Sequence, residues 1–408
     1  MNNQYDIAIV GGGLVGASLA CALADTDIRV VLIEAVPRKS QYQPSYDERV
    51  LAIAPGSRMI LDAIGIWAGI TPEAIVPIKT IHISDRGRFG FARLKHSNHG
   101  IEAMGYAVPA RELGAATDEQ LQKPGCFTLM CPAEVIGLSQ KKERVEIKLS
   151  AQSDQGEVSA ALVVFADGAG STTRHSLNFE STTYKYDQSV ILTTVLPDGG
   201  HNYTAYERFT DTGPLALLPS ASNRYTVVWT VLVGQVDQLL QCPDDEFLQK
   251  LQLRFGDRVG QFRQPGKRKT YPLSLVKVKH PVKHRVVVVG NAAHTIHPVA
   301  GQGFNLGLRD VSALAEVLGE AHAQKQDIGD IDVLDRYWQW RRRDVSRVGQ
   351  FTDGLIRLFS NDYLLPSMVR DAALLTVDVV PPVQRFLVRR TMGLAGRMPR
   401  LSRGLSLS

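Results

Sequence analysis

The chain reads Tyr5-Asp-Ile-Ala-Ile-Val-Gly-Gly-Gly-Leu-Val-Gly16 near its start. The apolar residues predict a buried strand, and the small residues that continue to Ala24 predict a helix. A G-x-G-x-x-G pattern between a strand and a helix is typical of a dinucleotide site, because the glycines allow a tight turn before the helix N-terminus. We therefore predict that Gly11, Gly13 and Gly16 bind a cofactor.

A second apolar strand, Val30-Val-Leu-Ile33, ends in an acidic residue, Glu34. Its spacing after Gly16 is close to that of a carboxylate that accepts ribose hydroxyls. The alternative is a structural glycine turn followed by a surface glutamate. This part of the sequence does not separate NAD from FAD, because both carry adenosine diphosphate.

A second strand–turn–helix pattern lies far downstream. The four valines Val286 to Val289 predict a buried strand, and a glycine-rich segment follows them. The next apolar residues are spaced as one helix face: Phe304, Leu308, Val311, Ala315 and Leu318. Gly301, Gly303 and Gly307 would let a flat ligand approach the backbone. Two distant segments that reach one dinucleotide favour FAD, whose second ring system is large.

The composition predicts a globular protein of more than one domain. The 408 residues are 44% hydrophobic, which suits two or three domains. The four cysteines form no metal-binding pattern, so we predict reduced thiols and no metal. No apolar run is long enough to span a membrane, and the first strand begins at Tyr5, so we expect a cytoplasmic protein without a signal peptide.

The C-terminal tail is strongly basic. After Val379 it has no acidic residue and six arginines interleaved with apolar residues: Arg385, Arg389, Arg390, Arg397, Arg400 and Arg403. Such a segment can lie on an anionic membrane, which predicts peripheral association with the inner membrane. The alternatives are a solvated basic helix packed on the body of the protein and a tail that binds a partner. No motif predicts nucleic-acid binding.

These patterns predict an α/β fold in which a Rossmann-like FAD-binding domain is interwoven with a β-sheet substrate domain. The stretches 189–195 and 225–231 have the composition of strands in the second domain. The predicted ranges are 1–70, 96–175 and 275–330 for the FAD domain, 71–95 and 176–274 for the substrate domain, and 331–408 for a helical C-terminus.

Three motifs carry a resemblance to a known class, the aromatic-ring flavin monooxygenases. They are the glycine turn at Gly11–Gly16, Val163-Val-Phe-Ala-Asp-Gly168, and Gly290-Asn-Ala-Ala-His-Thr-Ile-His-Pro298. The segment from His297 to Asp310 resembles the signature of the ubiquinone-biosynthesis flavin hydroxylases. The resemblance covers essentially the whole chain.

Within that family the chain most resembles the UbiH type, which hydroxylates 2-polyprenyl-6-methoxyphenol. The stretches that carry this resemblance are 81–87, 207–209 with 213–219, 271–273, and 352–355 with 358–359. The alternatives are a sister hydroxylase that acts at another ring carbon and a hydroxylase of a small soluble aromatic. A catalytically silent flavin-binding subunit of a biosynthetic complex is the non-enzyme alternative.

The resemblance implies that NAD(P)H reduces FAD and that O2 supplies one oxygen atom to a phenol ring while the other leaves as water. It implies a polyprenyl phenol as the lipid substrate, and other ubiquinone-biosynthesis proteins as partners. The implied FAD-binding residues, beyond the first glycine turn and Glu34, are Arg49, Arg111, Asp167, Gly290, Asn291, Gly301, Gly303 and Asn305. Pro298, Gly301 and Gly303 would line the oxygen side, and Tyr206, Arg208 and Tyr271 would orient the phenol.

Two positions in the late motif admit more than one interpretation. Asn291 stands where the wider class has Asp; its amide keeps an acceptor oxygen but loses the negative charge. His294 and His297 could act as a base that deprotonates the phenol. For His294, a structural, hydrogen-bonded histidine is the preferred interpretation.

Overall fold

The computed structural model describes residues 3–38, 49–123, 125, 127–150, 156–297, 301–359 and 364–407. Pro298, a predicted catalytic residue, lies outside them. Within these ranges no helix combines the length and apolar character that crossing a membrane requires. The same ranges contain no cluster of three or more metal-ligating side chains.

The strands and helices follow one another in chain order with many crossings between sheets. The strands are β1 (Gln4–Val10), β2 (Val30–Ile33), β3 (Val50–Ile53), β4 (Val76–Ile78), β5 (Thr80–Asp85), β6 (Phe91–Lys95), β7 (Gly105–Pro109), β8 (Phe127–Met130), β9 (Val135–Gln140), β10 (Val145–Leu149), β11 (Glu157–Phe165), β12 (Ser181–Pro197), β13 (Thr204–Thr210), β14 (Gly213–Ser220), β15 (Arg224–Leu232), β16 (Phe262–Arg263), β17 (Lys269–Val278), β18 (Val282–Lys283), β19 (Val286–Val288) and β20 (His294–Thr295). The helices are α1 (Leu14–Leu23), α2 (Pro55–Ala63), α3 (Ala110–Leu121), α4 (Thr172–Ser176), α5 (Val236–Gln241), α6 (Asp244–Phe255), α7 (Gln302–Ala323), α8 (Ile331–Phe359), α9 (Leu364–Val379) and α10 (Pro381–Thr391).

The first sheet has a parallel centre that is buried on both faces. Its central path is β18-β19-β11-β1-β2-β8, in which only β18 is antiparallel, and β10 and β9 extend it from β11. Side chains alternate along β1: Ile7 and Ile9 pack in one core with α1 and α7, whereas Ala8 and Val10 pack in another with β10. The nearly continuous apolar composition of these strands follows from this two-sided burial.

The second sheet is mostly antiparallel and follows the path β20-β17-β12-β15-β14-β13-β5-β6. One of its faces packs on α5 and α6 through a core that includes Ile191, Leu217 and Phe247. The other face carries Ile81, Ile83 and Leu218 and lies toward the C-terminal helices. A small third sheet, β3-β7-β4, completes the β-structure of the described chain.

The predicted elements are confirmed where their patterns were strong. The helix predicted from Phe304 to Leu318 lies within α7, and the two predicted substrate-domain strands lie within β12 and β15. The domain boundary predicted at residue 275 falls inside β17, which continues to Val278 as part of the second sheet. In the C-terminal tail, Val388, Met392 and Leu401 are buried, so much of its apolar content packs on the body of the protein.

Candidate functional site

One cavity of about 1090 Å³ is lined by residues of both large sheets. Its polar part, which we call the nucleotide cleft, lies at the carboxyl ends of the parallel strands, where open α/β sheets bind ligands. The nucleotide cleft is lined by Gly11, Gly13, Glu34, Arg49, Asp167, Asn291, Gly301, Gly303 and Asn305. The other part, which we call the apolar chamber, is lined mostly by aliphatic side chains: Ile81, Ile83, Leu94, Leu192, Ala216, Leu218, Val228, Leu273, Leu374, Val377, Leu387 and Met392. Glu207, Tyr271, Arg370 and Thr391 also line it.

The first glycine turn is closed so tightly that two of its glycines cannot be replaced without movement. A Cβ on Gly16 would lie 2.0 Å from the Gly11 carbonyl oxygen, and one on Gly11 would lie 2.7 Å from the Ala166 backbone. Gly11 also has φ +102°, which L side chains rarely adopt. Gly13 is the N-cap of α1, and a Cβ added to it would have no atom within 4 Å. The N-terminus of α1 therefore faces open space. This arrangement suits a phosphate group, which helix N-termini bind through their N–H groups and dipole.

Glu34 and Arg38 bond to the backbone N–H and the backbone carbonyl oxygen of the same residue of this turn, Gly12. The buried Glu34 carboxylate accepts hydrogen bonds from Gly12 N (2.6 Å) and Val36 N (2.7 Å). Arg38 donates to the Gly12 carbonyl oxygen (2.9 Å) and pairs with Asp118. Glu34 therefore shapes the turn as well as lining the cleft. Sequence reasoning missed Arg38, because its partners lie on other elements.

Replacing Glu34 with Gln is expected to weaken FAD binding by about 10-fold. The amide offers one acceptor oxygen where the carboxylate uses two, so one buried N–H loses its partner, at a free-energy cost of about 1–3 kcal/mol. Fluorescence titration of the apoprotein with FAD measures this change. The exposed Glu143→Gln is the matched control. Equal FAD affinities for the two variants would contradict the role of Glu34.

Asp167 follows β11 and offers one free acceptor to the cleft. Its Oδ2 accepts a hydrogen bond from the Thr173 hydroxyl, whereas its Oδ1 is buried without a hydrogen-bond partner in the described part of the chain. Buried carboxylate oxygens are normally paired, so a ligand hydroxyl that donates to Oδ1 would complete the site. Arg174 donates to the Ala292 carbonyl oxygen (2.9 Å) and so ties this segment to the late glycine turn.

The late turn presents an amide and an open helix N-terminus. Asn291 is exposed, lines the cleft and makes no side-chain hydrogen bond to another described residue. A Cβ on Gly303, in the first turn of α7, would have only the Asn291 Oδ1, at 3.9 Å, near it. Gly290 and Gly307 instead face Val15 of α1: a Cβ added to either glycine would lie 3.0 or 2.9 Å, respectively, from the Val15 side chain. Gly307 therefore serves helix packing and not the predicted close approach of a ligand.

Asn305 fixes the start of α7 to β3. Its Oδ1 accepts from Ala54 N (2.8 Å), and its Nδ2 donates to the carbonyl oxygens of Ala52 (2.8 Å) and Gly301 (2.7 Å). Both ends of the amide are thus used by backbone groups. Asn305 therefore positions Gly301, whose φ of +61° precedes the helix, and strand β3, which begins directly after Arg49.

The two histidines of the late motif lie in different surroundings. His294 pairs with Asp310, which also accepts from Gly290 N (3.1 Å) and from Arg341 Nε (2.8 Å). This buried network agrees with a structural His294. His297 is 1% exposed, and neither ring nitrogen has a partner among the described residues. Burial lowers the pKa of His297 to about 4, so its ring is neutral at physiological pH.

Strand register decides which side chains reach the apolar chamber. Glu207 of β13 pairs with Ala216 of β14, and both line the cavity. Tyr206 and Arg208 point to the opposite face: the Tyr206 ring packs on Phe255 of α6 (5.3 Å between centroids). The predicted phenol-orienting residues of β13 are therefore not brought into the chamber, although Tyr206 borders the cavity.

Of the other predicted residues, one lies in the chamber and one lies outside the cavity. Tyr271 of β17 lines the chamber, and the Arg49 guanidinium lies 5.5 Å from its ring centroid. Arg111, at the start of α3, has a 58% exposed side chain and lies 3.6 Å from Glu112, so the structure does not bring it to the cleft. Its role in FAD binding stays a prediction.

A buried ion pair in the chamber was not predicted. Arg370 of α9 lines the chamber and donates through Nε to Asp85 Oδ2 (2.9 Å), and both residues are at most 5% exposed. Next to it, Asp371 accepts from Gly90 N (3.0 Å) and so fixes α9 to the loop between β5 and β6. No local pattern marks this pair, because its members are 285 residues apart.

Comparisons with known proteins identify the family and the fold of the chain. The chain matches the family described as "FAD binding domain" over residues 4–352. It is 39% identical to the ubiquinone hydroxylase UbiL of Rhodospirillum rubrum, over 98% of this chain and 93% of that protein. It is 30% identical to the 3-demethoxyubiquinol 3-hydroxylase of Escherichia coli, over 96% and 100% of the two chains. The crystal structure of p-nitrophenol 4-monooxygenase PnpA from Pseudomonas putida has a similar fold, with a TM-score of 0.78 at 20% identity, over 97% and 100% of the chains.

Proposed function

The chain belongs to the FAD-binding family of ubiquinone-biosynthesis hydroxylases, and from this premise we propose that it hydroxylates the ring of a polyprenyl methoxyphenol. The finer assignment is 2-polyprenyl-6-methoxyphenol, the substrate that the sequence motifs suggest. A sister reaction at another ring carbon is the second candidate, since the relative from Escherichia coli is named for 3-hydroxylation. NAD(P)H and O2 are the cosubstrates of this class.

The observation that carries the proposal is the continuity of the nucleotide cleft with the apolar chamber in one cavity. A pocket for a small aromatic acid would need a cationic clamp and little apolar volume beyond the ring. Here the chamber wall is formed mostly by aliphatic side chains from the second sheet, α9 and α10, and the guanidinium of Arg370 in this wall is already paired with Asp85. Its size and composition favour a phenol that carries a long apolar chain.

The residues of the cleft fit FAD and divide the work of binding it. The N-terminus of α1 at Gly13 would hold the pyrophosphate, and Glu34 would accept the ribose hydroxyls. Asp167 Oδ1 would accept a hydrogen bond from a hydroxyl group of the ribityl chain, and the Asn291 amide would bond to the ribityl chain or donate to a phosphate. When bound, FAD supplies the reduction chemistry and the activation of O2.

The protein would also stabilise negative charge and exclude water at the position where the flavin ring and the phenol meet. The N-terminus of α7 around Gly303 points into the cleft, and its N–H groups and dipole would stabilise negative charge on a ring placed there. The aliphatic chamber excludes water from the phenol ring. Glu207, Tyr271 and Arg370 are chamber residues that can orient the phenol hydroxyl.

The proposal is tested with purified protein. We expect it to retain FAD and to consume NAD(P)H and O2 faster when a polyprenyl methoxyphenol is added. A deletion strain should accumulate that phenol. Faster turnover of a small aromatic acid would favour the soluble-substrate alternative, and absence of oxygen consumption with every phenol would favour a silent flavin-binding subunit. A protein without FAD after gentle purification would contradict the whole assignment.

Filling the chamber is expected to separate substrate binding from cofactor binding. In Ala216→Trp, an indole would occupy the chamber beside Glu207 and Val228. We expect turnover of the long-chain phenol to fall by about 100-fold, because a displaced ring no longer meets the reacting position. Bound FAD per chain, measured by absorbance, should stay unchanged. An unchanged turnover would exclude this chamber as the substrate site.

A further inference from the structure

Helix α10 separates the apolar chamber from the protein surface. Leu387 and Thr391 lie between the chamber and a second cavity, which they also line, and Val388 is buried. On its outer side, Val383 and Phe386 are 38% and 59% exposed. The exposed apolar surface continues at the preceding junction with α9, where Val379 is 71% exposed and Val380 is 37% exposed. We call the outer side chains from Val379 to Phe386 the apolar ridge.

An arginine-rich groove borders the apolar ridge. It has a volume of about 780 Å³ and lies between α7, α8 and the segment that follows α10. Its lining includes five arginines that have no carboxylate partner in the described part of the chain: Arg336, Arg343, Arg347, Arg390 and Arg397. We call this cavity, with its five arginines, the arginine groove. The two carboxylates in its lining are Glu320 and Asp344, and Asp344 is already paired with Arg309 and Arg341.

The ridge and the groove meet on one helix. Phe386 and Arg390, one turn apart on α10, both line the groove, and the Arg390 guanidinium lies 4.3 Å from the Phe386 ring centroid. Arg385 and Arg389 are exposed on the same helix. This side of the protein therefore presents apolar side chains surrounded by positive charge.

We propose that the apolar ridge and the arginine groove dock on an anionic lipid bilayer, and that the substrate enters the chamber past α10. The proposal that the substrate enters past α10 depends on the proposed function, because it assumes a lipid substrate. The proposal that this face docks on a bilayer depends only on the exposed side chains of the ridge and the groove. Bilayer binding combines burial of apolar side chains with attraction of basic residues to anionic headgroups, and both features are present here. A free nucleotide would use the arginines but would leave the exposed ridge without a partner.

Helix α10 is held to the body by buried apolar side chains such as Val388 and by a small number of hydrogen bonds. Gln384, on its buried side, donates from Nε2 to the carbonyl oxygens of Arg93 (3.2 Å) and Val377 (3.3 Å). Val377 and Leu387 stand on the two helices that bound the chamber. A small outward movement of α10 on the membrane would expose the chamber to the acyl region and not to water.

Vesicle sedimentation tests the docking face directly. The FAD-loaded, full-length protein should pellet with phosphatidylcholine vesicles that contain phosphatidylglycerol and much less with phosphatidylcholine alone. Phe386→Asp should weaken binding by about 10-fold or more, the factor expected when a bulky apolar side chain no longer inserts. Leu253→Asp is the matched control: Leu253 is 75% exposed on α6, which covers the opposite face of the second sheet.

A charge variant tests the groove. Arg343→Gln with Arg347→Gln should weaken binding to the anionic vesicles by about 5-fold per arginine. Lys148→Gln with Lys277→Gln removes the same charge from exposed strand positions and should have little effect. Bound FAD and thermal unfolding, measured for every variant, show that the fold is intact.

The outcomes separate this inference from the proposed function. If wild-type protein ignores the anionic vesicles, or if Phe386→Asp binds them as wild type does, the docking proposal is wrong. If the double arginine variant raises the KM for NAD(P)H and leaves vesicle binding unchanged, the groove is a nucleotide site and the proposal is also wrong. Turnover of the phenol in detergent reports on the proposed function alone and should be unaffected by Phe386→Asp.

Discussion

Gly16→Ala is expected to yield a protein that loses FAD and unfolds at much lower denaturant concentration. A Cβ at this position would lie 2.0 Å from the Gly11 carbonyl oxygen and 3.1 Å from the Ala166 side chain. Neither neighbour can move freely, because Gly11 N is bonded to the Ile33 carbonyl oxygen (2.8 Å) and Ala166 N to the Val10 carbonyl oxygen (2.8 Å). The strain must therefore displace α1 from the sheet.

The loss of stability should be about 3 kcal/mol or more, the upper range for an overpacked core. Urea unfolding followed by circular dichroism gives the free energy, and absorbance gives FAD per chain. Gly13→Ala is the matched control, since its Cβ would meet no atom within 4 Å. We expect Gly13→Ala to keep the stability of the apoprotein and to weaken FAD binding, because the methyl group would stand in the open cleft. Equal stability of the two variants would contradict the tight turn.

Asp310→Asn is expected to destabilise the protein by about 3 kcal/mol at neutral pH, because it removes the buried carboxylate that bonds both His294 and Arg341 and leaves Arg341 paired with the less buried Asp344. It also weakens the bond that holds His294 and Gly290 in the late turn, so FAD affinity should fall as well. Asp6→Asn is the control. It breaks an arginine–aspartate pair at the surface, where such pairs contribute at most about 1 kcal/mol.

The pH dependence of the same variant gives a second test. Burial alone would raise the pKa of Asp310, but His294 and Arg341 outweigh burial and hold this pKa well below its ordinary value. The folded protein therefore binds fewer protons here than the unfolded chain, so this contribution to stability is present above about pH 4 and is lost as the pH falls. The difference in unfolding free energy between wild type and Asp310→Asn should shrink in acid. A difference that does not change with pH would contradict the charged network.

The elements that we predict to bind the cofactor could be identified from the sequence because their constraints are local. The glycine spacing from Gly11 to Gly16 and the acid at Glu34 act within one strand–turn–helix–strand unit, and a short pattern records them. The helix from Gln302 was equally predictable, because its apolar residues recur with helical periodicity.

The residues of the chamber were harder to predict because they depend on strand register. Glu207-Arg-Phe209 is a distinctive stretch of the sequence, but the side of the sheet that each residue faces follows from pairing with β14 and β5. A shift of one residue exchanges Arg208 for Glu207 in the chamber. The Asp85–Arg370 pair and the Arg38 contact to Gly12 join distant segments that only packing brings together.

The sequence by itself determined the class of fold and predicted the two glycine turns, because the strand, the glycines and the helix of each turn are neighbours in the chain. The chemistry followed from the resemblance of its motifs to a known family. Only the tertiary structure decided which side chains line the apolar chamber, that His294 is held by Asp310 and Arg341, and which part of the basic tail is exposed. The physical reason is that these features depend on contacts between segments far apart in the chain, and such contacts form only when the sheets and helices pack.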